Sequence, residues 1–83
     1  MSSPDNLIRM ANRIGQFFEA YPDKEEALEG IANHIQKFWE PRMRKQLLAF
    51  LKQHPDGQRA DGVSLMPIVV NAVCGNLERL TPA

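Results

Sequence analysis

The stretch Asn33-His34-Ile35-Gln36-Lys37-Phe38-Trp39-Glu40-Pro41-Arg42-Met43-Arg44-Lys45-Gln46-Leu47 decides the fold. Pro41 has no N–H and disfavours helical geometry at Glu40, so a helix arriving from Ile35 stops or kinks near Trp39. The same proline suits the first turn of a new helix. The segment therefore reads as an elbow, at residues 39–41, between two helices.

Upstream, Ala27, Leu28, Ile31, Ile35, Phe38 and Trp39 recur at three and four residues, and Asp23 with Glu26 forms a capping-box-like start. Before them, Leu7, Met10, Ala11, Ile14, Phe17, Phe18 and Tyr21 mark one stripe of a first helix that stops before Pro22. Ser3 before Pro4 is its expected cap. Downstream of the elbow, Met43, Leu47, Phe50 and Leu51, widened by Leu48, define a third helix to about His54. Pro55-Asp56-Gly57 is a turn, and residues 55–63 read as a linker. A fourth helix is expected over about 64–79, starting at Ser64-Leu65-Met66-Pro67 and carrying Val69, Ala72, Val73 and Leu77 inward. The β-branched Ile68-Val69-Val70 would also suit a strand, but one strand has no partner here. The expected fold is all-α: one domain over residues 1–83, a small bundle of three to four short helices with a core in about 4–54.

Eighty-three residues exclude nucleotide folds and catalytic barrels. Six prolines and a mean hydropathy of -0.37 imply a thin core, so self-association of the isolated chain, or a partner completing the fold, is expected. No apolar run reaches the roughly 18 residues of a membrane span, and Met1 to Asp5 lacks signal-peptide character, so the expectation is a cytoplasmic protein without membrane contact. The only cysteine, Cys74, lies among Val69, Val70, Val73 and Leu77 and reads as a small packing residue. The two histidines, His34 and His54, stand twenty residues apart, so neither with Cys74 nor with each other do they make a metal-ligand spacing. No glycine-rich phosphate loop or acid-base pair is present, and no cofactor or catalytic residue is expected.

Charge is uneven. Residues 19–29 hold five acids against Lys24, and residues 30–52 hold five bases against Glu40, while the whole chain is neutral. Arg42, Lys45 and Lys52 share one face of the third helix, which makes a nucleic-acid-binding regulatory module the alternative reading. Zero net charge and the acidic segment argue against it. Phe38, Trp39, Pro41, Arg42, Met43 and Arg44 combine the aromatic, methionine and arginine side chains that anchor protein interfaces, and are the candidate partner-binding residues. The competing reading is that Phe38, Trp39 and Met43 only fill the corner between two helices.

The string Phe38-Trp39-Glu40-Pro41-Arg42-Met43-Arg44, with His34-Ile35 before it and Arg9-Met10-Ala11-Asn12-Arg13-Ile14 in the first helix, resembles the NAD-dependent formate dehydrogenase delta subunit family. The resemblance runs from about residue 4 to about residue 70. It implies a cofactor-free accessory subunit of a molybdenum- or tungsten-dependent formate dehydrogenase. The implied partners are the larger subunits, first among them the metal-pterin catalytic subunit. Two departures stand out. Relatives place Ser or Asp directly before the last helix's proline, where this chain has Met66, leaving that cap to Ser64 or to none; residues 71–83 are less family-like.

Overall fold

A computed structural model describes residues 4–83; Ser3, the expected first cap, lies outside them. Among the described residues the chain forms five helices: α1 (Pro4–Glu19), α2 (Lys24–Phe38), α3 (Pro41–Gln53), α4 (Pro67–Cys74) and α5 (Leu77–Leu80). None is long and apolar enough to cross a membrane.

The α1–α2 hairpin turns through Ala20–Asp23, where Asp23 Oδ1 accepts from the Glu25 and Glu26 amides at 3.0 and 3.3 Å. This satisfies two of the N–H groups that every helix start leaves free. α3 folds back onto α1, and α4 packs against both α1 and α2. Leu7, Ile8 and Ala11 of α1, Ile31 and Ile35 of α2, Leu47, Phe50 and Leu51 of α3 and Val69, Ala72 and Val73 of α4 meet in one core with Trp39, Leu65 and Leu80. Burying a large aliphatic side chain contributes roughly 1.5–3 kcal/mol, so the α4 side chains, although late in the chain, belong to the centre of the fold. Helix packing there is close. Gly15 is buried where α1 meets α4, and a Cβ at that position would stand 2.6 Å from Val69 Cγ2.

Residues 54–66 do not form an open linker. Gly57 takes φ +78°, a left-handed conformation suited to glycine, and its carbonyl accepts from the Leu65 N–H at 2.8 Å. Gln58 and Ser64 form an isolated antiparallel bridge, and Arg59 N–H donates to the Val63 carbonyl at 2.9 Å. Arg59 closes the loop electrostatically, donating to both Asp61 oxygens at 2.9 and 2.7 Å and reaching Asp5 of α1 at 2.9 Å. The hydrogen bonds from Arg59, with a further one from the Val63 amide, lower the Asp61 carboxyl from 3.8 to about 2, and Arg59 is raised in return.

The single C-terminal helix expected to residue 79 is instead two. α4 stops at Gly75, whose N–H bonds to the Asn71 and Val73 carbonyls, and the Asn76 side chain donates to the Ala72 carbonyl at 2.8 Å. These bonds occupy the last-turn carbonyls and let the chain turn into α5. Two packing expectations also change. Phe17 and Tyr21, placed on the core stripe, are exposed, as is Leu77. Cys74 is exposed rather than packed, on the rim of a shallow cleft of about 320 Å3 lined also by Leu48, Leu51, Lys52, Leu77 and Thr81.

Candidate partner-binding site

The elbow separates its side chains into an inner and an outer set. α2 ends with Trp39 as C-cap in extended conformation, its N–H donating to the Ile35 carbonyl at 3.0 Å, and α3 starts at Pro41 after extended Glu40. Phe38, the last residue of α2, lies on the solvent side of the helix and is 70 % exposed, whereas Trp39, where the chain leaves the helix in extended conformation, turns inward and is only 5 % exposed.

Arg44 serves the elbow itself. From the first turn of α3 its Nη1 donates to the Gln36 carbonyl at 3.1 Å, taking one of the carbonyls left free at the end of α2. Gln36 is held a second time by α5, because Arg79 Nε donates to its Oε1 at 3.0 Å while Arg79 Nη1 donates to Glu29 at 2.7 Å. Met43 is half-buried against the core. Of the six candidates, then, Trp39, Met43 and Arg44 brace the corner. Phe38, Pro41 and Arg42 are presented to solvent, and Arg42 makes no ion pair among the described residues.

The exposed aromatic surface continues beyond the elbow. His34, one turn before the end of α2, packs at a tilt against Phe38 with ring centroids 4.9 Å apart. Across the hairpin, Phe17 is 65 % exposed and meets Phe18 edge-on at 5.0 Å, with Tyr21 beside both. Between the helices lies a groove of about 440 Å3 lined by Arg13, Ile14, Phe17, Phe18 and His34. Sequence reasoning missed Phe17, Gln36 and Arg79. A signal existed for Phe17: three aromatics within five residues span more of a helix than one core-facing stripe of about 100°. For Gln36 and Arg79 there was none, since their contact joins residues 43 apart.

On α3, Arg42, Lys45 and Lys52 are all exposed. No group of three or more His, Cys, Asp or Glu side chains that could hold a metal ion occurs among the described residues.

These features define a small all-α protein with a braced elbow and an aromatic face left open to solvent. Within that class, the chain belongs to the NADH-dependent formate dehydrogenase delta subunit family, FdsD, whose family model matches residues 6–73. The match begins inside α1, takes in α2, the elbow, α3 and the loop, and ends inside α4. Comparison with curated proteins and with solved structures gives no significant match.

Proposed function

We propose that this chain is a non-catalytic, cofactor-free accessory subunit that assembles with and stabilises a cytoplasmic, molybdenum- or tungsten-dependent, NAD-linked formate dehydrogenase. Its contact with the metal-pterin catalytic subunit is made by the outer side of the elbow. Family membership supports the setting, and the exposure of Phe38 carries the choice of surface. A phenyl ring 70 % exposed on a backbone held by Trp39, Pro41 and the Arg44–Gln36 bond is a preorganised anchor. Preorganisation reduces the ordering cost that binding must overcome. Arg42 and the exposed edge of Met43 flank it, while Trp39 and Arg44 act on the partner through the shape they hold.

The test is co-purification with the larger subunits in high salt. Phe38→Ala is expected to cost about 2 kcal/mol or more of association, as desolvated aromatic anchors do, and Arg42→Ala a smaller amount. If both variants assemble at wild-type stoichiometry, with the activity and metal content of the complex unchanged, the elbow is not the contact.

A further inference from the structure

α3 differs in sign from α1 and α2, each of which carries both acids and bases. Pro41–Gln53 include Arg42, Arg44, Lys45 and Lys52 and no carboxylate. At 100° per residue, Arg42, Lys45, Ala49 and Lys52 fall within an arc of about 80°. That arc lies opposite Leu47, Phe50 and Leu51, which enter the core, and all four of its residues are exposed. The stripe is about 15 Å long at 1.5 Å per residue. Neither Arg42, Lys45 nor Lys52 enters an ion pair among the described residues, and Glu40, the carboxylate nearest in sequence, forms none with them.

The chain as a whole is neutral, yet half of its acids already have partners. Asp5 and Asp61 hold Arg59, Glu29 holds Arg79, and the Asp23 and Asp56 carboxylates accept from backbone amides. On α3 the positive charge has no such compensation. We infer that the Arg42–Lys45–Lys52 stripe receives an acidic segment of a larger formate dehydrogenase subunit, lying along α3 from the elbow towards Lys52 with carboxylates spread over about 15 Å. The inference rests on the accessory-subunit reading and extends the contact from the elbow along the helix. Exposed ion pairs are weak singly and are screened by salt. The stripe therefore orients the partner and speeds its association, while Phe38 supplies the apolar anchor. A second copy of this chain is the poorer occupant, because Lys24 interrupts its acidic run, Asp23 is engaged with the Glu25 and Glu26 amides and Glu29 with Arg79. Nucleic acid is poorer as well: three cations on a neutral chain engage few phosphates and set up no long-range field.

The experiment uses the full chain and the larger subunits of the complex, co-expressed and purified without it. Binding is measured at low and high salt for wild type, for Lys45 and Lys52 changed together to Glu, to Gln and to Arg, and for Lys24→Gln, a lysine outside the stripe. The altered side chains are exposed, so each variant should keep the wild-type circular dichroism and melting. At low salt the double Glu variant should bind at least tenfold more weakly and the double Gln variant several-fold, whereas the double Arg variant and Lys24→Gln should stay within twofold of wild type. The double Gln variant should also lose part of the salt dependence, a change that a merely structural role would not produce. In the wild-type complex, carbodiimide should couple the amine of Lys45 or Lys52 to an Asp or Glu of a larger subunit, an amide forming as the reagent takes up the water. If wild type binds and the Glu and Gln variants bind within twofold of it with unchanged salt dependence, the stripe assignment is overturned while the accessory role stands. If wild type does not bind, both fall. Coupling of Lys45 or Lys52 only to Glu25 or Glu26 of another copy, or salt-sensitive retention of duplex DNA abolished by the double Glu change while subunit binding is unaffected, would give the stripe to a different occupant and overturn the inference.

Discussion

The side chain of Asn12, in the middle of α1, hydrogen-bonds to Met66 across 54 residues: its Oδ1 accepts from the Met66 N–H at 2.8 Å. Its Nδ2 donates to the Ser64 carbonyl at 3.0 Å, so one amide group bonds to backbone on both sides of buried Leu65. The approach to α4 is thus fixed from another helix. Met66 is the N-cap of α4, and its own side chain makes no capping hydrogen bond.

Asn12→Ala leaves a part-buried N–H and carbonyl without their partner, a penalty of about 1–3 kcal/mol per unsatisfied buried group and at the low end here, where water retains some access. For a domain of this size the melting temperature should fall by roughly 4–8 °C per kcal/mol. Asn12→Asp keeps the acceptor for Met66 but sets an anionic oxygen against the Ser64 carbonyl, and should recover little. Thermal and urea unfolding of the two variants check this.

Gly15→Ala sets two effects against each other. Alanine gains up to about 1 kcal/mol of helix propensity over glycine, but its Cβ would lie 2.6 Å from Val69 Cγ2, with Met66 Sδ at 3.3 Å and Ile68 Cγ2 at 3.4 Å. Overpacking a dense core costs about 1–3 kcal/mol, and Val69 is fully buried and has no room to yield. The expected net is destabilisation, read as a lower urea midpoint at unchanged slope. A more stable variant would mean that α1 and α4 separate easily.

The inner and outer sets of the elbow should respond oppositely. Trp39→Ala empties a core site and is expected to cost about 3–5 kcal/mol of stability in the isolated chain. Arg44→Ala frees the Gln36 carbonyl and should lower stability by roughly 0.5–1.5 kcal/mol, the worth of one hydrogen bond. Phe38→Ala and Arg42→Ala should leave melting within about 0.5 kcal/mol of wild type. Unfolding curves of the four single variants, without any partner, distinguish the sets.

Acid should loosen the 54–66 loop in a defined window. The Asp61 carboxyl is lowered by its bonds to Arg59 from 3.8 to about 2. A depressed folded-state value contributes stability that is complete above the unfolded value and is lost as the pH falls through the folded one. The contribution of Asp61 should therefore fade between about pH 4 and pH 2. Asp61→Asn should be less stable than wild type at pH 6, and the gap should narrow across that window. Melting temperatures measured from pH 6 to pH 2 give the comparison.

What the sequence determined by itself is local. Pro41 ended one helix and began another because a missing N–H and a fixed φ act on their own neighbours. Asp23 capped α2 because its carboxylate reaches amides two and three residues on. The stripes in α2 and α3 placed Ile31, Ile35, Leu47, Phe50 and Leu51 in the core for the same reason, a period of 3.6. Tertiary structure decided what depends on residues far apart. The α1 stripe was wider than the surface available to cover it, so packing sorted Leu7 and Ala11 inward and left Phe17 and Tyr21 out. Pattern alone could not divide Phe38 from Trp39. Phe38 closes α2 while Trp39 leaves it in extended conformation, and the α2–α3 junction set which of them met the core. Arg44 belonged to the elbow only once the Gln36 carbonyl lay within its reach. The loop became part of the fold only when Asp5 and Asn12 of α1 arrived beside Arg59, Ser64 and Met66, because hydrogen bonds and ion pairs act over a few ångströms of space whatever their separation along the chain.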